Sequence, residues 1–171
     1  MVQIILEKID KSMEQNEFGN TPMMLATFRG FLEVVNVLMT FTENPNTPNN
    51  AGWTPIHHAA RKGHLEILNL LMTTAENPNA PNNDGWTPIH IAANLEILNL
   101  LMTTTENANA PNNDGWTPIH VAAEKGRLEM LKLLMTTTEN INAPTSNSGV
   151  TPRDLALQNN HHEIAALFAQ N

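Results

Sequence analysis

Gly52-Trp53-Thr54-Pro55-Ile56-His57-His58-Ala59-Ala60-Arg61-Lys62-Gly63-His64-Leu65 is the stretch whose reading decides the fold. Thr54 before Pro55 is a helix start: the hydroxyl can accept a backbone N–H, and proline at the first helical position has no donor to waste. Ile56, Ala59 and Ala60 give a short helix whose small residues let a neighbour approach closely. Gly63 supplies the left-handed residue that ends this helix and reverses the chain. Leu65 to Met72 then forms a second helix, with Leu65, Leu68, Leu71 and Met72 on one face and Ile67 and Leu70 on another. A helix apolar on more than one side must be covered on more than one side. Glu76 to Gly85, rich in Asn and Pro and closing with Asp84-Gly85, is a turn-rich connector.

The same unit recurs along the chain. Thr-Pro begins at Thr21, Thr54, Thr87, Thr117 and Thr151, at spacings of 33, 33, 30 and 34 residues. Gly-Trp-Thr-Pro-Ile-His appears from Gly52, Gly85 and Gly115, and Leu-Glu-Ile-Leu-Asn-Leu-Leu-Met-Thr-Thr from Leu65 and Leu95. This period, with Thr54-Pro55-Ile56-His57-His58-Ala59-Ala60 followed by Gly63-His64-Leu65-Glu66, resembles the ankyrin repeat. The resemblance implies an all-α solenoid of helix-turn-helix units joined by extended loops or hairpins. Five units are expected, at residues 16–48, 49–81, 82–111, 112–144 and 145–171. Residues 1–15 read as the helix of a truncated preceding repeat, an N-terminal cap, because Val2, Ile5, Leu6 and Ile9 recur at helical spacing. That start suggests a fragment of a longer chain.

The departures from the pattern carry expectations of their own. Unit 1 has Met24 in place of the motif histidine, with Phe28 and Phe31 around its inter-helix turn. Unit 5 has Asp154 for the histidine, Asn160 for the turn glycine and His162 for the following leucine, as a solubilising end cap would. Pro78 and Pro81 remove ladder donors, so pairing between loops should be weaker than in typical relatives. In unit 3, Ala92-Ala93-Asn94-Leu95 lacks three residues, the reversing glycine among them. Two explanations stand: a true deletion that leaves unit 3 strained or partly unwound, or residues absent from the chain as written. The near-identity of the flanking helices to unit 2 favours the second.

Composition bounds the function. Of 171 residues, 41% are hydrophobic, which excludes a disordered tail. A formal net charge of -8 argues against nucleic acid, whose phosphates call for clustered Lys and Arg. With no cysteine there is no disulfide framework, thiol catalysis or Cys-based zinc site. No apolar run approaches a membrane span, and Met1 to Leu6 lacks a basic region and meets Glu7, Lys8 and Asp10, a poor signal peptide. The expectation is a cytoplasmic monomer that engages no membrane.

No catalytic constellation stands out: there is no Gly-rich phosphate loop, nucleophile elbow or His-Glu-x-x-His. No cofactor, metal site or enzymatic activity is expected. His57, His90 and His120 hold the same place in successive units, roughly 8–10 Å apart by helix-packing distance, too far to share an ion. The resemblance gives them a structural role, bonding a helix start to neighbouring loop backbone. Glu66, Glu96 and Glu129 repeat as a solvated face, and Met39, Met72, Met102 and Met135 as core filler. Trp53, Trp86 and Trp116 precede the helix caps, which the resemblance places near a concave, loop-bearing side; tryptophan is enriched among binding hot spots. Around them lie positions that contact partners in such repeats: Glu17, Phe18, Asn20, Asn50, Ala51, Arg61, Lys62, Asn83, Asp84, Asn113, Asp114, Glu124 and Lys125. The function this implies is a non-catalytic scaffold binding another protein or peptide. The alternative is a consensus-like or recently duplicated array with no selected partner.

Overall fold

The computed structural model describes residues 14–169. Nine helices occur among them: α1 (Pro22–Arg29), α2 (Leu32–Met39), α3 (Pro55–Lys62), α4 (Leu65–Met72), α5 (Leu95–Met102), α6 (Pro118–Glu124), α7 (Leu128–Met135), α8 (Pro152–Gln158) and α9 (His162–Leu167). No strand occurs among the described residues. The cap expected over residues 1–15 lies almost wholly outside them.

Local chemistry starts each first helix. Thr21, Thr54, Thr117 and Thr151 stand in extended conformation before α1, α3, α6 and α8, each hydroxyl accepting the backbone N–H three residues on, with proline next. The chain then reverses through a left-handed residue. Gly63 ends α3 at φ 77°, and in unit 5 Asn160 takes that conformation at φ 62°. Gly30 has a further constraint: a Cβ there would lie 2.6 Å from Cε1 of His64, the ring that unit 2 lays over the unit 1 turn. His161 covers Gly126 in the same manner.

Helices of six to eight residues are too short to stand alone in water, so the stack must hold them. Leu68, Leu71, Leu98, Leu101, Leu131 and Leu134 form its continuous core, closed on the first-helix side by Ala59, Ala60, Ala122 and Ala123. Within the stack the second helix is covered on two sides: Ile67 in unit 2 is 2% exposed, whereas its counterpart Val34 in unit 1 is 46% exposed. Met39, Met72, Met102 and Met135 pack half-buried against this core, while Glu66, Glu96 and Glu129 are exposed.

Unit 3 is continuous from Ala92 to Leu95 and folds without the three residues. Its first helix is replaced by a tight turn, with N–H groups of His90, Ile91 and Ala92 donating to the carbonyls of Thr87, Pro88 and Ile89. Ala93 turns outward to donate to the Ala60 carbonyl of unit 2 (2.9 Å), one of the carbonyls a helix end leaves unpaired. Asn94 then caps α5, its Oδ1 accepting from Ile97 N–H at 3.0 Å. The Ala92 carbonyl, which no longer helix follows, accepts from the Arg127 guanidinium of unit 4. Deletion thus costs a helix, not the stack.

Candidate protein-binding face

The loop tips are shaped by asparagine. Asn49 Oδ1 accepts from the N–H groups of Ala51 and Trp53, and Asn82 and Asn112 repeat this for Asp84 and Trp86, and for Asp114 and Trp116. The next residue stitches each tip to the one before. Asn83 donates its backbone N–H to Ala51 (3.1 Å) and its amide Nδ2 to the Asn50 carbonyl (3.0 Å). Asn50 and Asn113 do the same, towards Phe18 and Glu17 and towards Asp84 and Asn83. A single backbone bond plus an amide side chain therefore joins successive tips in place of a hairpin ladder.

The motif histidines tie these tips to the first helices. Nδ1 of His57 accepts the Thr54 N–H at 3.1 Å, so its proton resides on Nε2, which donates to the Trp86 carbonyl of the next unit at 3.0 Å. His90 bonds Thr87 and Trp116 likewise, and His120 bonds Thr117 and the Val150 carbonyl. Burial holds His57 and His90 neutral, lowering each from the ordinary 6.5 to about 4 against the opposing pull of the carbonyl it serves. His120 is lowered by burial too. Both nitrogens of each ring are engaged, which leaves no lone pair for a metal ion.

These bonds present the tryptophans in a row. All three are half-buried, each ring against its own unit's histidine at 5.3 to 5.8 Å, and Trp86 and Trp116 lie 6.4 Å apart. None of the three indole N–H groups has a partner within the described residues, and none is sealed from solvent. Exposed Asp84 and Asp114 flank the second and third rings.

The first ring has different company. Trp53 stacks on His58 (5.8 Å, 27° between planes), and Phe28 meets the same imidazole edge-on at 5.7 Å. The Arg61 guanidinium lies 5.8 Å over the Trp53 ring, and Lys62 Nζ lies 4.2 Å over Phe28. His58 is lowered by burial, then by the charges of Arg61 and Lys62; its Nδ1 is shielded and unpartnered.

Of the residues singled out in the sequence, Phe18, Trp53 and Arg61 line one cleft, with Asn20 and Asn50 at its wall. Asn20 is partly committed, its Oδ1 accepting from Asn49, and the Nδ2 of Asn50 is spent on the Glu17 carbonyl. Lys62 is exposed beside Phe28. Asp84, Trp86, Asp114 and Trp116 belong to the neighbouring tips, and Glu124 and Lys125 pair with each other at 3.1 Å. Sequence reasoning did not single out His58 or Phe28 for this face. The available signal was that His58 is polar where the other units carry Leu25, Ile91, Val121 and Leu155.

Four helix pairs and one single helix, recurring every 30 to 34 residues, with an ordered ridge of loop tips, define a helical-repeat solenoid. The family described as ankyrin repeats (3 copies) matches residues 1–82, 41–112 and 94–171, and the chain belongs to the ankyrin repeat family. Its repeats are generally protein–protein interaction modules and typically non-catalytic. No curated protein matches the chain closely enough to serve as a relative. Among the described residues no helix is long and apolar enough to cross a membrane.

Proposed function

We propose that the protein is a non-catalytic scaffold, a cytoplasmic monomer that binds a partner protein through the concave face made by its loop tips and first helices. The observation that carries this reading is the row of three half-buried indoles whose N–H groups have no partner within the described residues. Each offers a large rigid surface and an unused donor on a scaffold that needs neither for its own hydrogen bonding. Phe18, 62% exposed, extends the apolar surface beyond Trp53. The histidine and asparagine bonds hold the face in shape before binding, which lowers the ordering cost of association.

Affinity capture from the native cell extract tests this, comparing the chain with a Trp53→Ala, Trp86→Ala, Trp116→Ala variant of matched circular dichroism. A partner retained by the parent and lost by the variant is the expected result. Equal capture by both removes the face. Capture of nothing by the parent favours an array with no selected partner, to which the near-identity of units 2 to 4 would then belong.

A further inference from the structure

Three of the nine Lys and Arg residues, Arg29, Arg61 and Lys62, belong to the first two units, and four more, Lys125, Arg127, Lys132 and exposed Arg153, lie between residues 125 and 153. Arg29, Arg61 and Lys62 fall in the last turns of α1 and α3, are exposed, and form no ion pair among the described residues. Lys125 and Lys132 each pair with a glutamate instead, and Arg127 is committed to a carbonyl. Unit 3 has no counterparts of Arg61 and Lys62, because the deletion removed those positions. Further along, the tips carry Asp84 and Asp114. The tips thus carry exposed Glu17 in unit 1 and Asp84 and Asp114 in units 3 and 4, while Arg61 and Lys62 stand on the first helix of unit 2.

Beside Arg61 lies a cleft of about 400 Å³, lined also by Phe18, Trp53 and His58. Arg61 is laid over the Trp53 ring, which restrains the side chain but consumes none of its N–H donors. We propose that this cleft takes an Asp or Glu side chain from an extended acidic segment of the partner. The carboxylate bonds the Arg61 guanidinium, with Lys62 adding charge, and the adjoining apolar side chain rests on Phe18 and Trp53. Three cations are too few for a nucleic-acid backbone against a net charge of -8, but they suit one or two carboxylates. Asp84 and Asp114 repel a continuation of the acidic segment over units 3 and 4, and exposed Glu17 repels one over the unit 1 tip, which confines the carboxylates to the Arg61 and Lys62 side chains. This inference rests on the loop-tip and first-helix face being the binding face.

The test is an NMR titration of the full chain, following the three indole N–H signals and the His58 ring. The probes are the blocked peptide Gly-Glu-Leu-Asp-Leu-Glu-Gly and its twin with Gln and Asn for Glu and Asp. The acidic peptide should shift Trp53 and His58 saturably, and the twin should bind about tenfold more weakly or worse. The variant Arg61→Gln, Lys62→Gln alters exposed positions, keeps the fold by circular dichroism, and should lose a similar factor for the acidic peptide. Equal binding of the two peptides, an unchanged affinity in the variant, or a stronger response to inorganic phosphate overturns the subsite. Shifts confined to Trp86 and Trp116 overturn it while leaving the wider face standing. Silence of all three indoles at about 1 mM peptide removes both.

Discussion

Lowering the pH from 7 to 5 should destabilise this protein through His57 and His90. Both rings hold their proton on Nε2, with Nδ1 occupied by a threonine N–H, so a second proton would have to break that bond inside the stack. Each is lowered from 6.5 to about 4. Above 6.5 the ring is neutral in both the folded and the unfolded chain, and its contribution to stability is fully present. As pH falls from 6.5 towards 4, the unfolded chain takes up a proton that the folded chain refuses, and stability is lost. At about 1.4 kcal/mol per pH unit, each ring contributes a loss of about 2 kcal/mol at pH 5 and the pair about 4 kcal/mol. That is a large share of the roughly 5–15 kcal/mol that holds a typical domain. His58 and His120, also lowered, act in the same direction. Asp154 is held below the usual carboxylate range by the Thr151 hydroxyl and N–H, so its contribution is lost only below about 3.8, outside this window. Approach to the isoelectric point near 5.2 reduces charge repulsion and works against the loss, so a control is needed. The double variant His57→Gln, His90→Gln keeps a side chain suited to the third position of a capping box but removes both titrations. Urea midpoints by circular dichroism at pH 7 and 5, in dilute protein, should fall for the parent and fall much less for the variant. A parent indifferent to this change, or a variant that loses as much as the parent, refutes the reasoning.

Three further outcomes follow from the stack. Leu98→Ala, at a fully buried position between units, should lower stability by about 2–5 kcal/mol in urea denaturation; a loss under 1 kcal/mol would mean that the site collapses around the cavity. Arg127→Ala leaves the Ala92 carbonyl unpaired and should cost about 1–3 kcal/mol, with amide exchange speeding up in unit 3 before units 2 and 4; uniform exchange along the chain would contradict the role given to Arg127. Inserting Arg-Lys-Gly between Ala93 and Asn94 should restore the first helix of unit 3 and raise stability by about 2 kcal/mol through recovered helical hydrogen bonds. An insertion that lowers the urea midpoint would show that the short turn has been accommodated too fully to be undone.

Much of the architecture was legible because its causes are local. A threonine followed by proline starts a helix by chemistry contained in four residues, and Gly63 reverses the chain because it lacks a Cβ; neither needs a neighbour. Repetition of those signals, with helices apolar on two sides, dictates stacking. The fate of unit 3 was legible only as one of two alternatives, because Pro88 to Ala92 retains a helix-start signal. What replaced the helix depended on acceptors and donors brought by other units, the Ala60 carbonyl and the Arg127 guanidinium. Nor could spacing show that Trp53 would stack on His58 while Trp86 paired with Trp116, or that asparagines would stitch the tips together. Those contacts are set by the offset between successive units, which sums small rotations over residues some thirty positions apart. Sequence determined what each unit is; packing decided what each unit meets.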